Sequence, residues 1–224
     1  QLPDGSYYML REAAAQNTLH TVYLEMFYTG YNQSASKDVP LACYLLTDHM
    51  RWTSPNRYAY QAEMGGLAAF ADLLLPARHG VASPGTLPAL WRAKLTDGYA
   101  PGNTAYLTYA DEGESYRGRG FVYTSGTPQN AFRTLLDVDP NAPLSDFGWE
   151  YLRKTVDFCQ QNGIRLVLFT APLPSAYLYN TANYQAYVDA LRDFAAENNT
   201  VYWDFSLYKD IDTLNLLVED FSDA

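Results

Sequence analysis

Ile164-Arg165-Leu166-Val167-Leu168-Phe169-Thr170 is nearly continuously apolar over the length of one strand. A run without period-two alternation marks a strand covered on both faces, which is the environment of a parallel sheet. Before it, Ser145-Asp146 caps a helix through Gln161 whose apolar positions Trp149, Leu152, Val156 and Cys159 recur at helical spacing, and Gly163 stands where a left-handed terminator belongs. After it, a helix is predicted over about residues 181–198, with Tyr184, Tyr187, Val188, Leu191, Phe194 and Ala195 on one stripe, followed by a strand over 200–205. Strand and helix alternate with short joins, so the C-terminal part reads as βαβ crossovers feeding a parallel sheet.

The N-terminus has the same grammar. Residues 6–17 are rich in helix formers, with Asp4 and Ser6 both available as caps and Asn17 as terminator. Residues 20–27 are β-branched and aromatic and read as a buried strand. The fold class expected is α/β: a mostly parallel sheet flanked by helices. Residues 1–31 and 145–224 form its core, and residues 32–144 form a large inserted subdomain or lid. Within the insertion residues 57–75 read as a helix, while residues 80–125 are crowded with Gly, Pro, Thr and Tyr.

Composition removes several functions. The chain has 224 residues and a formal charge of −10, from 25 acidic and 15 basic side chains, so a nucleic acid would approach against the protein's own field. Cys43 and Cys159 are far apart and belong to no metal-ligand or redox motif, so neither a metal nor a disulfide framework is implied, although one bridge stays open. No window approaches the ~20 apolar residues of a membrane span, and the chain as given reads as soluble. Aromatic residues make up 15%, with 20 Tyr, which suits either a sugar-contacting cleft or half-buried packing.

In an open parallel sheet the ligand sits beyond the carboxyl ends of the strands, here residues 25–31, 170–174 and 204–206. A phosphate-cradling glycine motif is absent: Gly118-Arg119-Gly120 lacks the third glycine and the strand-to-helix setting, which weakens a flavodoxin-like nucleotide binder and implies no cofactor. His20, His49 and His79 follow no sheet strand at its carboxyl end, so none is placed to serve as the base of a hydrolytic triad.

The strings Gln1-Leu2-Pro3-Asp4-Gly5-Ser6-Tyr7-Tyr8, Val22-Tyr23-Leu24-Glu25, Trp149-Glu150-Tyr151-Leu152, Leu166-Val167-Leu168-Phe169-Thr170-Ala171-Pro172-Leu173-Pro174 and Tyr202-Trp203-Asp204-Phe205 together resemble the SGNH (GDSL-like) esterase and acyltransferase superfamily. The likeness is to its bacterial cell-envelope members, which transfer D-alanyl groups to teichoic acid or acetyl groups to polysaccharides. It covers the first thirty residues and about the last eighty; the middle matches mainly at Arg119-Gly120-Phe121-Val122.

The resemblance implies a three-layer α/β/α sandwich with a mostly parallel sheet, a serine after its first strand and a histidine in a C-terminal Asp-x-x-His. The chain reads as beginning after that serine strand and stopping inside the acidic motif. Phe221-Ser222-Asp223-Ala224 looks like the start of that block. Asp223 would then be the carboxylate that orients the imidazole, or else a frayed terminal acid. The function expected of the intact protein is hydrolysis or transfer of an acyl ester on a cell-envelope glycan or glycopolymer, outside the cytoplasm, with a membrane tether beyond the given chain. As given, the chain is expected to be inactive. Glu25, Tyr28, Thr170 and Pro172 would line the cleft, with Arg119 and Tyr123 reaching substrate from the insertion. Glu25 could equally be a strand-end acid paired with an Arg. The alternative function is a non-catalytic envelope module that holds a glycan or a partner protein in the same cleft.

Overall fold

A computed structural model describes residues 3–32, 46–47, 50–51, 53–74, 114–118, 121–124, 136–172 and 181–206. In chain order these form α1 (Pro3–Gln16), β1 (Thr21–Glu25), α2 (Tyr28–Tyr31), α3 (Pro55–Leu74), β2 (Glu114–Gly118), β3 (Phe121–Thr124), β4 (Leu136–Asp137), α4 (Asp146–Gln161), β5 (Arg165–Thr170), β6 (Thr181–Ala182), α5 (Tyr184–Glu197) and β7 (Val201–Asp204). The architecture is mixed α/β, built on a three-stranded parallel sheet of order β1-β5-β7.

The central strand follows the expectation: Leu166, Val167 and Leu168 are all buried. Its two feeding helices end in the same way. At α4 the Ile164 N–H donates to the Cys159 carbonyl (2.8 Å) and the Gly163 N–H to that of Gln160 (3.2 Å), with Gly163 at φ 65°. At α5 the Thr200 N–H donates to the Ala195 carbonyl (2.9 Å) and the Asn199 N–H to that of Ala196 (3.4 Å), with Asn199 at φ 49°. Both are Schellman closures that turn the chain straight into a strand, one with Gly and one with Asn at the left-handed position. The amino end of α4 is fixed by Ser145, whose Oγ accepts from the Gly148 N–H (3.0 Å) and donates to the Tyr31 carbonyl (3.0 Å). Ser145→Ala is therefore expected to lower stability by about 1 kcal/mol in urea denaturation.

Three expectations need correction. First, β1 spans residues 21–25 rather than 20–27 and is not buried on both sides: Leu24 is buried whereas Tyr23 is 63% exposed. It pairs with β5 along one side, and among the described residues nothing pairs with its other side. Second, α1 begins at Pro3, so Asp4 lies in its first turn and Ser6 inside it; proline's fixed φ suits the first helical position. Third, the helix expected from 181 starts at Tyr184, because Thr181–Ala182 pairs in parallel with Leu136–Asp137 and Asn183 takes a left-handed conformation (φ 58°) between them.

The helices and the sheet share one core. Leu24, Leu166 and Leu168 on one sheet face pack with Leu10 of α1, Leu152 and Val156 of α4, and Val188 and Leu191 of α5. Each such fully buried side chain contributes about 2 kcal/mol. Register puts Tyr23, Val167 and Val201 in one cross-strand row of the opposite face, and Glu25, Phe169 and Trp203 in the next. On that face Trp203 is 42% exposed. The helix expected over 57–75 is α3, two residues longer at its start. A second, smaller cluster joins it to α1 and α4 through Tyr8, Tyr60, Met64 and Tyr151. Of the remaining residues 32–144, expected as an insertion or lid, the described ones include the antiparallel pair β2-β3, and most of the stretch lies outside the described residues. No helix of the described residues is long and apolar enough to cross a membrane.

Candidate functional site

The carboxyl ends of β1, β5 and β7 lie side by side, as the register Glu25 to Phe169 and Thr170 to Asp204 requires. Backbone bonds tie them: the Met26 N–H donates to the Phe169 carbonyl (2.7 Å) and the Phe205 N–H to that of Thr170 (3.1 Å). The side chains beneath add a polar network. The Thr170 hydroxyl donates to the Met26 carbonyl (3.1 Å), which also accepts from the Tyr187 phenol (2.9 Å). Thr170 Oγ1 and the Tyr202 hydroxyl are 2.8 Å apart. Asp204 collects the rest: Oδ2 accepts from Tyr184 (3.0 Å) and Tyr202 (3.2 Å), and Oδ1 accepts from the Ser206 N–H (2.8 Å). Ser206 in turn donates its hydroxyl to the Ala171 carbonyl (3.1 Å).

Electrostatics fixes the direction of the bonds that the phenols make to Asp204 and to the Met26 carbonyl. Burial holds the Tyr184 and Tyr202 phenols above their ordinary range, and the neighbouring Asp204 charge adds to the effect. Tyr187 is raised for the same leading reason, burial. All three therefore stay protonated, and Asp204 and the Met26 carbonyl are their acceptors. Chemically this is a rigid floor: its oxygens are occupied by one another, and it orients the backbone after each strand without presenting a nucleophile.

The residues expected at the site divide accordingly. Glu25 ends β1 with its side chain exposed, and none of the described ion pairs involves it. Pro172 is partly exposed just past β5. Thr170 ends β5 but is 2% exposed, so its hydroxyl serves the network rather than a ligand. Tyr28, expected to line the mouth, is instead buried: its hydroxyl accepts from Asn32 Nδ2 (2.5 Å) and its ring meets that of Tyr187 edge-on at 5.2 Å. Tyr123 lies in β3 opposite Ser115. Arg119 and Asp223 lie outside the described residues.

Tyr184, Tyr187, Tyr202 and Asp204 were not anticipated as a unit. Their signal was present, since tyrosines at two positions of one buried helical stripe need partners for their hydroxyls, and a carboxylate at a strand end can supply one.

The described residues offer no alternative centre. Among them, no three His, Cys, Asp or Glu side chains converge as metal ligands. A cavity of about 130 Å³ lies at the opposite, amino end of the sheet, lined by Cys159, Gln160, Arg165, Asn198 and Thr200 among others. The Cys159 thiol is buried and pushed up to about 11 by burial, which makes it unreactive. No family model matches the chain, and no curated protein or solved structure is similar to it.

Proposed function

We propose that this chain is the α/β core of an SGNH-type serine esterase or O-acyltransferase that acts on an acylated cell-envelope glycan or glycopolymer, outside the cytoplasm of a bacterium and tethered to its membrane. One observation carries the reading: three parallel strands end together over a polar network, at the edge of a sheet that among the described residues is open beside β1. Successive βα crossovers build a sheet in one direction, from β1 through β5 to β7, so a strand preceding α1 belongs on the open side of β1. A serine at the tip of that strand would stand over Glu25 and the Met26 backbone. The nucleophile and its histidine come, on this reading, from polypeptide beyond the described residues, with Asp223 orienting the imidazole. Glu25 and Pro172 form the rim, and Arg119 and Tyr123 reach substrate from the insertion. A second helix layer, completing the three-layer sandwich, covers the sheet face that carries Tyr23 and Trp203.

A non-catalytic module that holds a glycan is the second reading, favoured by the exposed rings of Tyr23, Phe27 and Trp203 near the same strand ends. A fluorophosphonate probe applied to the full-length gene product separates the two. The enzyme reading expects one serine to be labelled covalently in native protein but not in denatured protein, with acyl-ester turnover abolished by the label. Absence of labelling and turnover, with the glycan still retained, would establish the binding module instead.

A further inference from the structure

We propose that the arm formed by residues 53–64 is a releasable flap, latched onto α1 and α4 by two carboxylates and freed by acid before the sheet core opens. The latch crosses the interface in both directions. Glu12, on α1, is 3% exposed and accepts from the start of the arm through the Ser54 hydroxyl and Asn56 Nδ2 (3.1 Å), from the Arg51 N–H just ahead of the arm (3.3 Å), and from Gln16 Nε2 of its own helix (2.6 Å). Glu63, on α3, accepts from the Tyr8 hydroxyl of α1, and from the Tyr151 hydroxyl (2.7 Å) and Lys154 Nζ (2.8 Å) of α4. A third bond runs from the Tyr60 hydroxyl to Asp4 Oδ2 (3.2 Å).

Among the described residues, fewer apolar side chains are buried beneath the arm than in the sheet core. The arm's cluster has six buried members among them, Tyr8, Leu46, Met50, Tyr60, Met64 and Tyr151, against eighteen in the sheet core. Segments with few buried apolar contacts open locally at a lower free energy than the global transition. Within the described residues the arm therefore leans on its polar bonds more than the sheet does.

Acid acts on these bonds with a definite sign. Burial works to raise both carboxyls, but donors outweigh it: Ser54, Asn56, Arg51 and Gln16 hold Glu12 below the usual carboxylate range, and Lys154, Tyr8 and Tyr151 do the same for Glu63. A carboxyl lowered in the docked state stabilises docking fully above its undocked pKa, about 4.3, and ceases to do so as the pH falls through the docked value. Of the charged groups around Glu63, Lys154 is itself shared with Glu150 (2.7 Å), and Arg11 of α1 stands 5.5 Å from the centres of the Tyr7 and Tyr8 rings. The named partners of Glu12 are neutral donors, and Arg57, nearby on α3, donates instead to the Thr47 (2.5 Å) and Met50 (3.4 Å) carbonyls. Release would bare the phenols of Tyr8, Tyr60 and Tyr151.

Hydrogen exchange on the whole chain tests this, with rates corrected for intrinsic pH dependence. Between about pH 6 and about pH 3, peptides within residues 55–64 are expected to lose protection at least ~10-fold, while those covering β5 change less than ~3-fold. The double variant Glu12→Gln, Glu63→Gln is expected to show the arm already released at neutral pH with β5 still protected. Loss in both regions together, or an arm that stays protected in acid, would overturn the proposal. If the double variant does not fold, the acid series on the unaltered chain decides alone.

Discussion

Gly148→Ala is expected to destabilise the fold by about 3 kcal/mol, although the same exchange in an open helix would stabilise it by up to ~1 kcal/mol. A Cβ at this position would stand 2.2 Å from the Tyr31 carbonyl oxygen and 3.2 Å from its carbon, in the first turn of α4. The obstacle is backbone and cannot rotate away. Nor is that carbonyl idle, since it accepts from both the Ser145 N–H (3.3 Å) and the Ser145 hydroxyl (3.0 Å), so displacing it also loosens the cap of α4. Tyr31 itself is buried in the main core. Steric cost therefore outweighs the propensity gain. Gly163→Ala serves as the contrast: nothing lies within 4 Å of its added Cβ, and the cost there is only the left-handed φ of 65°, about 1 kcal/mol. Urea midpoints measured at constant slope check the pair. A Gly148→Ala protein as stable as the parent would mean that α2 and α4 do not approach so closely.

The contrast between these two glycines shows what the sequence could and could not convey. Gly163 is legible, because its role is local: a helical stripe ends, a glycine follows, and an apolar run begins. The same local logic locates α4, β5, most of α5 and the Ser145 cap. Gly148 is illegible, because what restricts it is a carbonyl more than a hundred positions away. β1 departs from expectation for a similar reason: Tyr23 reads as apolar as Leu24 in sequence, and only its exposure and a pairing that among the described residues is one-sided reveal a strand half open to solvent. Thr181–Ala182 is taken from the predicted helix by a two-residue pairing with β4, again a distant partner. At the candidate site the strand ends were placed correctly, but the chemistry of their side chains was not. Tyr184 and Tyr187 fit a buried stripe as rings while their hydroxyls build the polar floor, and Tyr28 and Thr170, expected to face a ligand, face the core.

That floor makes Asp204 the residue whose loss should be felt most at the site. Asp204→Ala removes the acceptor of three donors at once, Tyr184, Tyr202 and the Ser206 N–H, and leaves them in a region where Asp204 itself is only 7% exposed. An abandoned buried donor costs ~1–3 kcal/mol, and water admitted to the vacated volume offsets part of the sum, so a net loss of about 3 kcal/mol is expected. Tyr184→Phe removes one donor and leaves the carboxylate two others, for about 1 kcal/mol. Asp204→Asn should fall between them, since one oxygen survives while the amide nitrogen opposes a donor. The order matters more than the sizes. A carboxylate hub predicts Ala worst, Asn intermediate and Tyr184→Phe mildest in chemical denaturation at neutral pH. If Tyr184→Phe proved the most damaging, ring packing rather than the carboxylate would hold the strand ends together, and the floor would owe its rigidity to α5 rather than to the tip of β7.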